Sequence, residues 1–244
     1  MATQSSIEWT ESTWNPVSGC SKISAGCLNC YAERMAKRLK AMGQRRYRNG
    51  FAVTLHPEAL DEPYRWKKPR VVFVNSMSDL FHDRIPFDFI RQVFSAMEAN
   101  ARHTFQVLTK RSQRLRELGP LLEWSENIWM GATIENNDYV DRAEDLRSTA
   151  AAIKFLSLEP LLGPVPDLDL REIDWVIVGG ESGPGAREMR REWVLEVKEK
   201  CEKANAAFFF KQWGGVNKKK NGRILQGKTW DDYPQVYKSQ PEPV

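Results

Sequence analysis

Three of the four cysteines, Cys20, Cys27 and Cys30, fall within eleven residues as Gly19-Cys20-x6-Cys27-x2-Cys30-Tyr31, while Cys201 stands alone far downstream. Thiolates are soft ligands for iron and zinc. Three at this spacing can wrap one face of a [4Fe–4S] cube, Cys-x-x-Cys bridging adjacent corners and the longer gap reaching the third. A cube held this way leaves one iron without a protein ligand and open to a small molecule. Two other readings of the same residues stand beside it. Structural zinc takes four ligands, so a zinc clip would need His56, His82 or a folded-in Cys201 as the fourth. The three thiols could also be unrelated buried residues. Cys201 shares helical spacings with Trp193, Val194 and Val197 and reads as a small core residue.

Such residues make a site only if secondary structure gathers them. Short β-branched or aromatic runs at 7–10, 51–55, 71–75, 104–108, 128–134, 153–158, 175–178 and 207–211 predict eight strands. Several are apolar throughout, such as Val71-Val72-Phe73-Val74, the pattern of parallel strands buried on both faces. Helical patterns lie between them. Tyr31, Met35, Leu39 and Met42 make one apolar stripe, with Gly43 as a stop. Pro86 opens a second helix, with Phe87, Ile90, Val93, Phe94 and Met97 on one face. Asp138 caps a third, facing inward through Tyr139, Ala143 and Leu146, and a fourth covers 190–204. Strand–helix alternation implies right-handed βαβ units. The fold class expected is α/β, a (β/α)8 TIM-type barrel or a partly open version of it, in one domain over 1–217. Its cysteine loop is 19–31, and 218–244 is a polar appendage with a Lys218-Lys219-Lys220 run and a Pro-Glu-Pro end.

In such a barrel, chemistry sits at the C-terminal ends of the strands. Those ends are far more polar than the strands. They carry Asn15 and the cysteine loop, then His56 and Glu58, then Asn75, Ser76, Ser78, Asp79 and His82. Lys110 and Arg111 follow, then Glu135 and Asn136, then Glu159, then Gly179-Gly180-Glu181 through Arg187, and last Lys211 and Gln212. The glycines of 179–187 could let backbone N–H groups approach a phosphate or carboxylate, or could serve a tight turn needing positive φ. Neither the Gly-x-Gly-x-x-Gly nor the Walker lysine pattern is present. Lys110 and Lys211 are expected to pair with Glu135, Glu159 or Glu181. The same carboxylates with Asp79 would suit a metal-assisted hydrolase.

With 244 residues and an ordinary composition the chain can build a real core, which excludes a fibrous or disordered protein. No run approaches the roughly 18–20 apolar residues of a membrane span, so no membrane partner is expected. The first residues show neither a basic nor an apolar leader region, which predicts a reducing, cytoplasmic location. The net charge of +4 is mild. Basic clusters at Arg45-Arg46-Tyr47-Arg48, Lys67-Lys68-x-Arg70, Lys110-Arg111 and Lys218–Lys220 suit contact with phosphates, as they would also suit a solvated surface.

The motifs Thr13-Trp14-Asn15-Pro16 with Gly19-Cys20, Cys27-x-Asn29-Cys30-Tyr31-Ala32, Phe73 to Phe81, Leu108 to Arg111, Leu158 to Leu161, Trp175 to Arg187 and Phe210 to Gly214 carry a resemblance. Over residues 9–214 the chain resembles the phage-associated gp thirty-seven / gp sixty-eight family, whose three-cysteine motif is similar to that of radical S-adenosylmethionine (SAM) enzymes. The first gap here is six residues rather than three, and Gly-Gly-Glu follows the seventh expected strand rather than the second. The resemblance implies a [4Fe–4S] cluster on Cys20, Cys27 and Cys30 in the first strand-to-helix loop, with SAM on the open iron and Tyr31 opening the next helix. Tyr31, Asn75, Ser76, Ser78, Asp79, Lys110, Glu135, Gly179, Gly180, Glu181 and Arg187 would hold SAM or substrate, with Glu159, Lys211 and Gln212 near the reacting centre. A reductant protein, a nucleotide or nucleic-acid substrate and a phage-encoded protein in a host cytoplasm complete the expectation. Its rivals are a non-catalytic, metal- or cluster-containing nucleic-acid-binding protein and the hydrolase.

Overall fold

Mostly apolar, β-branched and aromatic runs form the parallel strands of the sheet, Val71–Val74 and Trp175–Gly179 being buried at every position. The computed structural model describes residues 3–5 and 7–235; the end of the expected appendage, 236–244, lies outside the described residues. The chain forms two units, one running to Met130 and including Ser148–Ala152, the other made of Gly131–Arg147 and the chain from Ile153.

The first unit holds β1 (Thr3–Gln4), β2 (Ser12–Trp14), β3 (Val17–Ser18), β4 (Thr54–Leu55), β5 (Val71–Val74), β6 (Thr104–Thr109) and the first half of β7 (Ile128–Thr133). Its sheet order is β1-β2-β5-β6-β7. β2 runs parallel to β5 and β5 to β6, whereas β1 is an antiparallel edge. β3 and β4 form a separate antiparallel pair, with Val17 opposite Leu55. Helices α1 (Tyr31–Ala41), α2 (Phe87–Glu98) and α3 (Ser112–Leu118) follow the strands.

Two of the expected strands are corrected here. Residues 7–10 form a turn, Thr10 N–H donating to the Ile7 carbonyl, and the sheet strand is 12–14. Trp9, 2% exposed and 4.7 Å from the Phe73 ring, is an apolar anchor in that turn and imitates a strand in sequence. The run at 51–55 contributes only β4, outside the main sheet. Eight evenly spaced parallel strands are therefore not what the chain forms.

In the second unit, the end of β7 is followed by α4 (Arg142–Arg147), β8 (Ile153–Leu158), β9 (Trp175–Gly179), α5 (Arg191–Ala204), β10 (Ala207–Gln212) and α6 (Lys218–Asn221). The order is β7-β8-β9-β10, with β8, β9 and β10 mutually parallel. Each unit is thus α/β with parallel strands. Cys201 is buried on α5 beside Val194 and Val197, as its helical spacing predicts. The expected appendage is tied down as far as it is described. Leu225 is buried, Phe210 N–H donates to the Trp230 carbonyl, and Trp175 Nε1–H donates to that of Asp232.

Helix α1 packs through a different face from the one its apolar stripe predicts. Ala32 and Ala36, one turn apart, are buried against Met77 with Cys30, Leu39, Tyr47 and Phe51 around them. Tyr31, Met35 and Met42 are exposed. Two methyl-sized side chains let the helix approach the loop after β5 closely, which larger residues at 32 and 36 would prevent.

All three histidines are buried, and burial lowers the pKa of each, that of His103 to about 4 with help from Arg102 and Arg70. Neutral in the fold, they take up protons in the unfolded chain near pH 6.5. The unfolded state then binds more protons, so stability is full above that pH and falls on acidification, His103 contributing down to about pH 4. His103 sits edge-on to Trp66 and Phe105. The Tm should therefore fall between about pH 7 and about pH 4.5, and His103→Phe should flatten that fall. An equally steep profile in the variant would contradict the assignment.

Candidate functional site

The cysteine loop is fixed by backbone contacts that only glycine permits. Gly19 has φ +84, and a Cβ there would lie 2.3 Å from the Ala52 carbonyl oxygen. Its N–H donates to the Met77 carbonyl at 3.0 Å, and Cys20 N–H to that of Phe51 at 3.1 Å. The loop after β5 holds the same segment. Val17 N–H donates to Asn75 Oδ1, Ser78 Oγ–H to the Val17 carbonyl, and Ser76 Oγ–H and Met77 N–H to Asn15 Oδ1. Tyr31, opening α1, donates its hydroxyl to the Ser76 carbonyl. Asn75 is 3% exposed with φ 59, and its Nδ2 is buried with no partner among the described residues.

Asp79 is the hub of this region. Its carboxylate accepts from Phe81 N–H (3.0 Å), Thr109 Oγ1–H (2.7 Å), Lys110 N–H (3.0 Å) and Arg111 Nη1–H (3.3 Å). The same guanidinium donates to Cys20 Sγ at 3.5 Å, to the Ser21 carbonyl at 3.2 Å and to Ser21 Oγ at 2.9 Å. Burial and the Asp79 charge push the Cys20 thiol up to about 11 against the opposing Arg111. Burial also raises Cys27, but the N–H of Ile23, the hydroxyl and N–H of Ser24 and the Lys110 charge outweigh it, and its net shift is downward. Ser24 Oγ lies 3.5 Å from Cys27 Sγ.

The fourth zinc ligands suggested by sequence are otherwise engaged. His82 Nδ1 accepts from Arg84 N–H, so its Nε2 carries the proton, 2.8 Å from Ser21 Oγ. His56 Nε2 lies 2.8 Å from Ser18 Oγ. Among the described residues no three His, Cys, Asp or Glu side chains are gathered for one metal ion. A cube asks for something else: its thiolates occupy separate corners, and its sulfurs accept hydrogen bonds. Three partly exposed free thiols on one loop, N–H donors aimed at Cys27 and a guanidinium at Cys20 fit that requirement.

The second unit holds the other expected residues, also at strand ends. The register of β10 on β9 slips between Phe210 and Gln212, so Lys211 is the bulged residue. A bulge re-aims a side chain, and Lys211 Nζ meets Glu159 at 2.9 Å. Gly179, ending the strand between them, makes room: a Cβ there would lie 2.6 Å from Glu159 Oε1. Ser157 Oγ–H also donates to Glu159. Gly180 lies against the Trp213 carbonyl, 2.1 Å from where a Cβ would stand.

The remaining polar groups are internally satisfied. Arg187 closes the glycine-rich loop on Glu181 through Nε–H, Nη2–H and its own N–H, at 2.9, 2.5 and 3.0 Å. Glu135, fully buried, accepts from Arg142 at 3.0 Å. Gln212 Nε2 donates to the Gly180 carbonyl and to Ser182 Oγ. Of the lysine pairings expected, Lys211–Glu159 forms, whereas Glu135 and Glu181 take arginines. Sequence reasoning placed Arg111 at the strand end but gave a role only to Lys110, and it passed over Ser21; Arg111 is the residue that contacts Cys20 Sγ and Ser21. Adjacent residues leaving a strand diverge in direction, the one available signal that only one cation of the pair could reach the loop.

The fold and the thiol-bearing loop define an α/β protein with parallel strands and a candidate soft-metal site. The chain belongs to the family described as protein of unknown function, DUF5131, which matches residues 4–234. No curated protein matches it by sequence. Similar solved structures include a spore photoproduct lyase mutant with dinucleoside spore photoproduct, at 12% identity and TM-score 0.49, covering 83% of this chain. Another is spore photoproduct lyase complexed with the same compound, at 13% identity and TM-score 0.47, also covering 83% of this chain. The match spans 64% of the length of either lyase chain.

In cluster-free protein the two thiols should differ in reactivity, because the thiolate is the nucleophile. Iodoacetamide near pH 8 should alkylate Cys27 well before Cys20, read by peptide mass spectrometry. Equal rates would contradict the environments described.

Proposed function

We propose that this protein is an iron–sulfur enzyme of the radical SAM type, with Cys20, Cys27 and Cys30 holding a [4Fe–4S] cluster and an iron left open for SAM. The observation that carries the reading is the sulfur environment, with N–H donors at Cys27 and a buried guanidinium at Cys20 on one pinned loop. Held by Cys20, Cys27 and Cys30, such a cluster would supply one-electron reduction of bound SAM and with it radical hydrogen abstraction from a substrate.

The chain's own residues bind and orient. Gly19 and the loop after β5 hold the cysteine segment in place. Asn75, whose buried Nδ2 lacks a partner among the described residues, offers a donor to the SAM carboxylate. Tyr31, Ser76 and Ser78 keep that loop in shape; Asp79 and Lys110 set the charge beside it. In the second unit Glu159 and Lys211 form an acid–base pair beside Gly179, with Gln212 from the next position, and these are the candidate catalytic residues of this reading. Glu181–Arg187 and Glu135–Arg142 brace them. The resemblance to the phage gp thirty-seven / gp sixty-eight family supports the same reading.

The substrate in this reading is a nucleotide or nucleic acid, met by the exposed Arg45, Arg48, Lys67, Lys68 and Lys218–Lys220, and the electron comes from a reductant protein. Among the described residues no helix is long and apolar enough to cross a membrane; a cytoplasmic site of action is part of the same proposal.

Protein purified and reconstituted without oxygen should contain about four irons and four sulfides per chain. With dithionite and SAM it should form 5′-deoxyadenosine, and Ala at any of the three cysteines should abolish this. Stoichiometric zinc in place of iron after reconstitution, with no deoxyadenosine, would overturn the proposal.

A further inference from the structure

We infer that Arg111 is a positioning residue that holds Cys20 from outside the ligand set and stabilises the negative charge gained when the cluster takes up an electron. This rests on the cluster reading above.

Arg111 follows β6 and occupies the N-cap position of α3, where its side chain makes no capping hydrogen bond and crosses instead to the cysteine loop. It is 7% exposed. A guanidinium so placed must be paired, and its hydrogen bonds tie it to the loop and to the hub beneath: Asp79, the Ser21 carbonyl and hydroxyl, and Cys20 Sγ. Ser21 is steadied in turn by His82. One donor remains. Arg111 Nε is buried with no partner among the described residues, and the sulfide of a cube beside Cys20 would supply the missing acceptor. No neutral residue could do this, and lysine lacks the planar fork that reaches carboxylate, carbonyl and sulfur together.

The electrostatic consequence has a definite sign. Reduction adds one electron from a low-potential donor, with no bond made or broken and no proton required. A cation touching a ligand sulfur favours the more negative, reduced state, and hydrogen bonds to sulfur act in the same direction. Asp79 lies beside the same thiol, so losing Arg111 also unmasks a carboxylate.

The test is an EPR-monitored redox titration of the anaerobically reconstituted full chain, wild type against Arg111→Met and Arg111→Lys. At the potential where the wild-type cluster is half reduced, the reduced-to-oxidised ratio should fall about tenfold in Arg111→Met, equivalent to about 59 mV for one electron. It should fall less than about threefold in Arg111→Lys, which keeps the charge. A second measurement can be made on the wild type. In wild-type protein labelled with [15N]arginine, electron–nuclear double resonance of the reduced cluster should show a nitrogen coupling from the Arg111 guanidinium, which is in contact with Cys20 Sγ, and Arg111→Lys should lose it. If Arg111→Met forms no cluster, Arg111→Lys and the labelled wild type decide. Unchanged potentials, or a labelled cluster without nitrogen coupling, would overturn the inference and leave the cluster reading standing. Failure of the wild type to form any cluster would instead overturn the proposed function.

Discussion

One buried carboxylate carries the arrangement of the thiol-bearing unit. Asp79, on the loop after β5, gathers the backbone of Phe81, the hydroxyl of Thr109, the backbone of Lys110 and the guanidinium of Arg111. It joins the exits of two parallel strands and, through Arg111, reaches the cysteine loop. A buried ion pair of this kind adds little to stability against an apolar replacement, yet losing one partner leaves an uncompensated charge and costs about 3–5 kcal/mol. What it supplies is direction: it fixes where Cys20 and Ser21 stand relative to the sheet. Gly19 completes the constraint, since any side chain there would overlap the Ala52 carbonyl.

The second unit uses the same means to a different end. Two of its charged pairs, Glu135–Arg142 and Glu181–Arg187, are closed locally by an arginine six or seven residues downstream and serve the shape of the strand ends. The third, Glu159–Lys211, is assembled from β8 and β10 across β9. It depends on two backbone features, the absent side chain at Gly179 and the bulge at Lys211. The pair is partly exposed, unlike Glu135, which is fully buried.

Much of this was legible in the amino-acid sequence. The runs at 71–75, 104–108, 128–134, 153–158, 175–178 and 207–211 became strands because their mostly apolar, β-branched or aromatic character suits a doubly covered strand, even where Gln106, Lys154 or Ser157 interrupts it. The runs at 7–10 and 51–55 misled because a single buried tryptophan, or a two-residue pair outside the main sheet, leaves the same local signature. In α1 the largest apolar residues pointed the wrong way: close packing selected Ala32 and Ala36, and size alone does not reveal which face a neighbour needs. The cysteines were legible as a group because their spacing is unusual. Which polar groups are already satisfied was not, because Glu181 looks like a ligand until Arg187 is seen to close on it. Arg111 was hidden for a related reason, its role depending on a contact with Cys20 ninety-one residues away.

The central claim is that three thiolates hold a four-iron cluster and leave one iron to a small molecule. Mössbauer spectroscopy of anaerobically reconstituted, 57Fe-labelled protein tests it directly, with and without SAM. The account predicts that about three of every four irons are unchanged by SAM while the remaining one shifts to the parameters of a site with additional nitrogen and oxygen ligands. Four irons indifferent to SAM, or no cluster iron at all, would contradict it.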